Sequence, residues 1–319
     1  MAATSSDAPV QETGLSRPEL ASRANERSAM RRRLMLLAPA VLIIVICGLA
    51  PLSIVLAYSW MQPAEYAGVI PQFSSDAWIN LAFERDLFSD DLLPNFAYYS
   101  IYARSILMAG LTTLLALVVG FPTSYFIATR APHRRNLWLF LITIPFWTNL
   151  LIRTFAIMLI LRDEGVLNVI LLKLGIIDTP LQLLFTNWAV SYGLAYAYLP
   201  LMVMPLYASM EKLDFRLVEA GYDLYASRFQ VLRRVIIPLV KPGIVAGCIL
   251  CFIPAIGDYV ITSQLGGGKK MMLGTLIAMQ FGPARNWPQG SAIALGLMII
   301  VLIALFIYAK KVVARSNIR

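Results

Sequence analysis

One histidine and three cysteines are all that a chain of 319 residues offers for metal ligation or thiol chemistry. His133 stands in a basic loop with no cluster of Cys or His around it, so neither a zinc site nor a histidine-centred triad can be assembled. Cys47, Cys248 and Cys251 all fall inside apolar runs, which excludes a disulfide framework. Charge is scarce too. Only 14% of residues are charged, against about 25% in soluble domains. With 59% apolar residues and a mean hydropathy of +0.69, an ordinary cytosolic enzyme is excluded.

What is present is long apolar runs. A bilayer core about 30 Å thick needs about 20 apolar residues in helix, and six segments qualify: residues 34–59, 99–129, 137–161, 187–210, 239–263 and 291–309. The first follows Arg31, Arg32 and Arg33 but is longer than the 7 to 15 residues of a signal-peptide core, so it reads as an uncleaved anchor. Residues 1–33 are rich in Ala, Ser and Glu without apolar periodicity, the composition of a disordered tail. The expected organisation is an all-α membrane protein: a cytoplasmic tail at 1–33 and a six-helix transmembrane domain over 34–319.

Basic loops are retained on the cytoplasmic side. Of 27 basic residues, six lie in the tail, three at 130–136, six at 211–241 and four at the C-terminus. With six spans these four stretches share one side, which places both termini and the 211–241 loop in the cytoplasm. The net charge of +9 is then topology; the basic residues are not interleaved with aromatics as in nucleic-acid readers, so no nucleic-acid partner is expected. The opposite side carries the acid-rich loop 60–98, expected to pack over the mouth, and the loop 162–186, whose stretch Val166 to Leu174 reads as a short interfacial helix.

One acid, Asp258, is left inside an apolar run. An intramembrane carboxylate costs about 2.5–3.5 kcal/mol on insertion scales and by default marks a transport path. Pro254 and Gly257 weaken the helix around it, and freed backbone groups are tolerated only where they line protein or water. The alternative is an interfacial acid at the span's outer end. Arg153 is the other intramembrane charge, either snorkelling outward or paired within the bundle. Trp188, Tyr192 and Tyr196 recur at i, i+4 and i+8 on one helical face, and Trp147 follows Pro145 on the preceding span. Such a stripe serves as packing, or as an attractive wall for organic cations. With Asp258, the residues Tyr259, Trp147, Tyr192 and Tyr196 are the candidate lining of a cation path. Pro200 and Pro205 are expected to kink the same helix and open space.

The loop 211–241 reads as two short helices, the first capped by Asp214 and the second ended by Pro238 and Pro242. Within it stands Glu219-Ala220-Gly221-Tyr222-Asp223-Leu224-Tyr225-Ala226, with Pro238 further on. This resembles the EAA loop of permeases in binding-protein-dependent ABC importers. Glu219, Ala220, Ala226 and Pro238 match the family pattern, whereas Gly221 replaces its second alanine, Tyr225 its glycine and Leu232 its phenylalanine. A non-Gly residue resists φ > 0, so either the turn differs or Tyr225 is strained. The segments Leu150 to Thr154, Tyr196 to Pro200, Phe252 to Val260, Leu265 to Gly268, Met272 to Gly274 and Arg285 to Pro288 are similar to the permeases for spermidine and putrescine.

The resemblance implies an inner-membrane permease subunit that passes a small organic cation of the putrescine and spermidine class inward. It implies three kinds of partner: an ABC ATPase dimer, a second homologous permease and an extracellular or periplasmic solute-binding protein. It also implies that Glu219, Ala220, Gly221, Asp223, Ala226 and Pro238 form the coupling element against the ATPase. No cofactor is expected in this chain, ATP and Mg belonging to the partner. A P-loop reading of Gly268-Lys269 fails, because Ser263 and Lys270 stand where Gly and Ser or Thr are required. Importers of another amine, an amino-acid derivative or an opine remain as alternatives within the family. A secondary transporter driven by an ion gradient is the alternative from another class; it calls for matching broken helices in both halves, and only one clear break is visible, near Pro254.

Overall fold

The computed structural model describes residues 17–66, 68–85, 92–268 and 270–316. By internal contacts the chain divides into two units, Met1–Val55 and Leu56–Arg319. The first unit holds most of helix α1 (Arg17–Tyr58), which continues through Pro39 and Pro51. Residues 17–33 are therefore helical rather than part of a disordered tail; the rest of that expected tail, residues 1–16, lies outside the described residues. The polar, Glu- and Arg-bearing stretch before Leu34 consists largely of good helix formers and extends the apolar helix N-terminally without a new nucleus.

The second unit begins with short elements that were not expected of an all-α chain. Strands β1 (Met61–Pro63) and β2 (Val69–Phe73) form an antiparallel ribbon, and β3 (Phe83–Arg85) pairs with β4 (Leu92–Pro94), flanking helix α2 (Asp76–Ala82). Trp60 stacks on Phe73 with ring centroids 5.5 Å apart and leans on Trp78, whose indole N–H donates to Ser59 Oγ at 3.3 Å. Asp86, Asp90 and Asp91 of this loop lie outside the described residues.

Then follow α3 (Phe96–Ala128), α4 (Pro132–Trp147), α5 (Leu150–Leu161), α6 (Val166–Lys173) and α7 (Asn187–Glu211). The chain ends with α8 (Arg216–Asp223), α9 (Arg228–Val231), α10 (Ile237–Ile256), α11 (Val260–Gly266), α12 (Leu273–Phe281) and α13 (Trp287–Ser316). Five helices among the described residues are long and apolar enough to cross a membrane: Leu37–Tyr58, Phe96–Ala128, Asn187–Glu211, Arg228–Ile256 and Trp287–Phe306. The expected third span is two helices. Thr148 is extended, and the Asn149 side chain accepts from Leu151 N–H to start α5 afresh, so residues 137–161 break at 148–149. The short helix expected from Val166 is α6.

The core of this unit is the mutual packing of α3, α7 and α10. Small residues permit it. Ala116 and Gly120 of α3 and Gly247 of α10 meet Met202 of α7, and a Cβ on Gly243 would collide with Ser209 and the Pro205 carbonyl. At Pro205 no space opens, because Gly243 and Gly247 of α10 lie against its carbonyl and ring; α7 is continuous and Pro200 is buried. Ser124 Oγ donates to Val203 O at 3.2 Å across the same contact. A satellite cluster of Ala109, Ala255, Ile256, Leu273, Leu276 and Ile293 joins α3, α10, α12 and α13.

Candidate translocation and coupling sites

Helix α10 stops at Ile256, two residues after Pro254, and α11 starts at Val260. Helix starts leave amide N–H groups without intrahelical partners, and in an apolar setting each must be met. Asp258 meets them. Its Oδ1 accepts from the N–H of Ile261 at 2.8 Å and of Thr262 at 3.1 Å, and from Thr262 Oγ1 at 3.4 Å. Oδ2 accepts from the hydroxyl of Tyr198 on α7 at 2.8 Å. The carboxylate is 7% exposed, so it is turned onto the start of α11 rather than toward open space. Gly274 of α12 lies against this break, where any Cβ would strike the carbonyls of Gly257 and Asp258.

The aromatic candidates differ from Asp258 in being open. Trp147 is 85% exposed at the end of α4; Tyr192, Tyr196 and Tyr259 are exposed at 55%, 37% and 50%. Trp188, at 68%, joins Tyr192 along a cleft of about 380 Å³ lined by apolar residues of α5, α6 and α7. Arg153, 9% exposed, does not pair with Asp258; its Nη2 donates to Thr148 O at 2.9 Å. No local sequence pattern singles out Tyr198 or Thr148. Tyr198 sits two residues from Tyr196, about 200° round the helix, and the signal that points to it is the rule that a buried carboxylate needs donors.

The loop after α7 forms α8 as an amphipathic turn pair. Val218 faces inward with Ile127, Val203, Met210, Val231 and Ile236, while Glu219, Ala220 and Asp223 are exposed and Gly221 packs on Val231. Asp214 Oδ1 accepts from Arg216 N–H at 3.0 Å, serving the start of α8. At its end, Tyr225 N–H donates to Tyr222 O at 2.9 Å and Ala226 N–H to Gly221 O at 3.1 Å, the double closure of a Schellman turn. That closure needs a left-handed residue, and Tyr225 supplies it at φ 58° with its side chain 98% exposed. The turn is the glycine turn, made with strain.

Pro238 does not end the second helix of the loop. α9 runs through a π-helical turn, Leu232–Ile236, directly into α10; the Ile237 N–H donates to Leu232 O, and Pro238 is the second residue of α10. Pro242 also lies inside α10. Ala226 is half-buried behind the turn and Pro238 is exposed.

Residues 120–319 match the model of the family described as binding-protein-dependent transport system inner membrane component. The chain belongs to this family. The permease is 44% identical over 233 residues to the spermidine/putrescine transport system permease protein PotB of Escherichia coli K12, covering 73% of this chain and 84% of that one. It is 30% identical over 227 residues to the inner membrane ABC transporter permease protein YdcU of the same organism. Its fold is similar to a chain in the crystal structure of a bacterial ABC transporter involved in alginate import, with a TM-score of 0.65 over 90% of this chain and 99% of that one, at 15% identity. The permease is accordingly a multi-pass inner-membrane component of an ABC importer, a transporter subunit.

Proposed function

We propose that the permease carries a linear polyamine of the putrescine and spermidine class into the cytoplasm, between itself and a second, related permease. The observation that carries this reading is the 44% identity to PotB over 73% of the chain. In this reading the membrane is crossed six times, α4 and α5 together making the crossing that neither is long enough to make alone. Both termini and the α8 loop face the cytoplasm, and ATP with Mg is held by a partner ATPase dimer while a solute-binding protein delivers the amine outside.

Trp147, Tyr192, Tyr196 and Tyr259 form this chain's aromatic wall, each ring attracting an ammonium group by about 0.5–2 kcal/mol. Shallow wells of that size let a multivalent cation leave. Asp258 stands behind the wall: its carboxylate holds the start of α11 and the adjoining Tyr259 in place and contributes negative potential at short range. Glu219, Ala220, Gly221, Asp223 and Ala226 make the α8 element that docks on the ATPase, with Tyr225 projecting from its end and Pro238 at the base of the following helix. Uptake of labelled putrescine and spermidine by cells lacking this chain, with and without a plasmid restoring it, tests the reading. Restored uptake supports it; unrestored uptake of both amines, with the permease present in the membrane, rejects it.

A further inference from the structure

A guanidinium carries five N–H donors and a permanent charge, and in an apolar helix bundle both need an answer. Arg153 lies on α5, just after the 148–149 break. Its Nη2 donates to the Thr148 carbonyl at 2.9 Å and its Nε to Thr148 Oγ1 at 3.4 Å, answering a carbonyl that the end of α4 leaves open. The centre of the guanidinium stands 6.0 Å from the centroid of the Tyr196 ring. No carboxylate stands within 4.0 Å of it among the described residues, where the ion pair at that distance is Arg135 with Glu211, at 3.7 Å. A fixed cation therefore sits beside one face of the proposed aromatic wall.

We infer that Arg153 is a specificity-determining residue, whose charge beside Tyr196 sets the preference of the path between diamines and triamines. The inference rests on the polyamine reading above. Each ammonium group passing the wall is repelled by the guanidinium, so the barrier grows with the number of ammonium groups on the solute. For charges about 10 Å apart in water-like surroundings this amounts to about a twofold slowing per additional group, and more where the cavity is drier. The same residue holds the break between α4 and α5, but that duty acts on every solute alike, which separates the two roles experimentally.

The test uses the complete importer in proteoliposomes, with solute-binding protein saturated by either putrescine or spermidine, and reads the ratio of the two maximal uptake rates. Arg153→Gln removes the charge and is expected to raise the spermidine-to-putrescine ratio about two- to fivefold. Arg153→Lys keeps the charge but lacks the guanidinium fork; it is expected to slow both amines and leave the ratio at the wild-type value. A Gln variant that changes both rates by the same factor overturns the inference and leaves Arg153 as a structural clamp. If the Gln variant does not reach the membrane, the wild-type ratio measured from about 50 to 300 mM salt decides instead, since screening weakens the repulsion: a rising ratio supports the inference and a constant one overturns it. Transport of neither amine by the wild type rejects the polyamine reading itself, and the inference with it.

Discussion

The hydroxyl of Tyr198 and the carboxylate of Asp258 meet at 2.8 Å, joining the middle of α7 to the break between α10 and α11. The other carboxylate oxygen caps α11 through Ile261 and Thr262. One acid thus settles two kinds of orphan group at once, and the geometry fixes where α11, and with it Tyr259, stands relative to α7. Tyr198→Phe leaves one carboxylate oxygen short of a donor, at an expected cost of about 1–3 kcal/mol. Asp258→Ala leaves the Ile261 and Thr262 N–H groups and the Tyr198 hydroxyl without their acceptor, and is expected to cost more. Thermal unfolding of the purified complex orders the variants: wild type above Tyr198→Phe above Asp258→Ala. An Asp258→Ala variant as stable as wild type contradicts the capping role.

Tyr225 adopts the left-handed backbone of the α8 turn although it is not glycine. For a residue with a Cβ this conformation costs about 1–2 kcal/mol, so Tyr225→Gly is expected to stabilise the isolated permease slightly. The exposed ring is then lost from the proposed docking element. Solute-stimulated ATP hydrolysis is expected to fall while thermal stability rises, a divergence that a purely structural turn residue does not produce. Equal stability and undiminished stimulation would remove Tyr225 from the coupling surface.

Close packing of α7 on α10 makes a prediction with an internal control. Gly243→Val places a branched side chain against Ser209 and the Pro205 carbonyl and is expected to cost about 1–3 kcal/mol or block assembly. Gly110→Ala on α3 meets nothing within 4 Å and is expected to be neutral or slightly stabilising. Unfolding midpoints that fail to separate the two variants contradict the close packing of α7 on α10.

Sidedness is tested with single cysteines at Arg134, in the first turn of α4, and Asp163, after α5, in a background where Cys47, Cys248 and Cys251 are replaced. Membrane-impermeant thiol reagents applied outside are expected to label position 163 and not 134. Labelling of both from one side contradicts a crossing made jointly by α4 and α5.

Asp258 was legible in the sequence because an acid in an apolar run has no cheap explanation, and the α8 loop because its residues carry a pattern. The 148–149 break was less so. Residues 137–161 read as one span when only apolar count is used, although Pro145 followed by Thr148 and the capping Asn149 is a stop and a start. Pro238 misled for the opposite reason: a π-helical turn ahead of it carries the chain straight from α9 into α10, so the helix runs on. The ribbons at 61–73 and 83–94 carry Pro63, Pro71 and Pro94 and too few residues for a clear period-two signal. Helix α12 lay hidden behind the glycine-rich run at 266–268, and its first amide, Leu273 N–H, is met from far away in sequence by Ser105 Oγ at 2.8 Å. Pairings across the bundle, such as Tyr198 with Asp258, are tertiary facts that no local pattern carries.

The central claim is that this chain, coupled through Glu219 on α8, moves a polyamine inward at the expense of ATP in a partner. The most direct measurement is uptake of labelled spermidine into proteoliposomes holding the permease, its partner permease and the ATPase, with solute-binding protein outside and ATP inside. Uptake is expected with ATP, absent with a non-hydrolysable analogue, and strongly reduced together with stimulated ATP hydrolysis in a Glu219→Lys variant that still assembles. Uptake that is independent of ATP, or coupling in Glu219→Lys that matches wild type, contradicts the account.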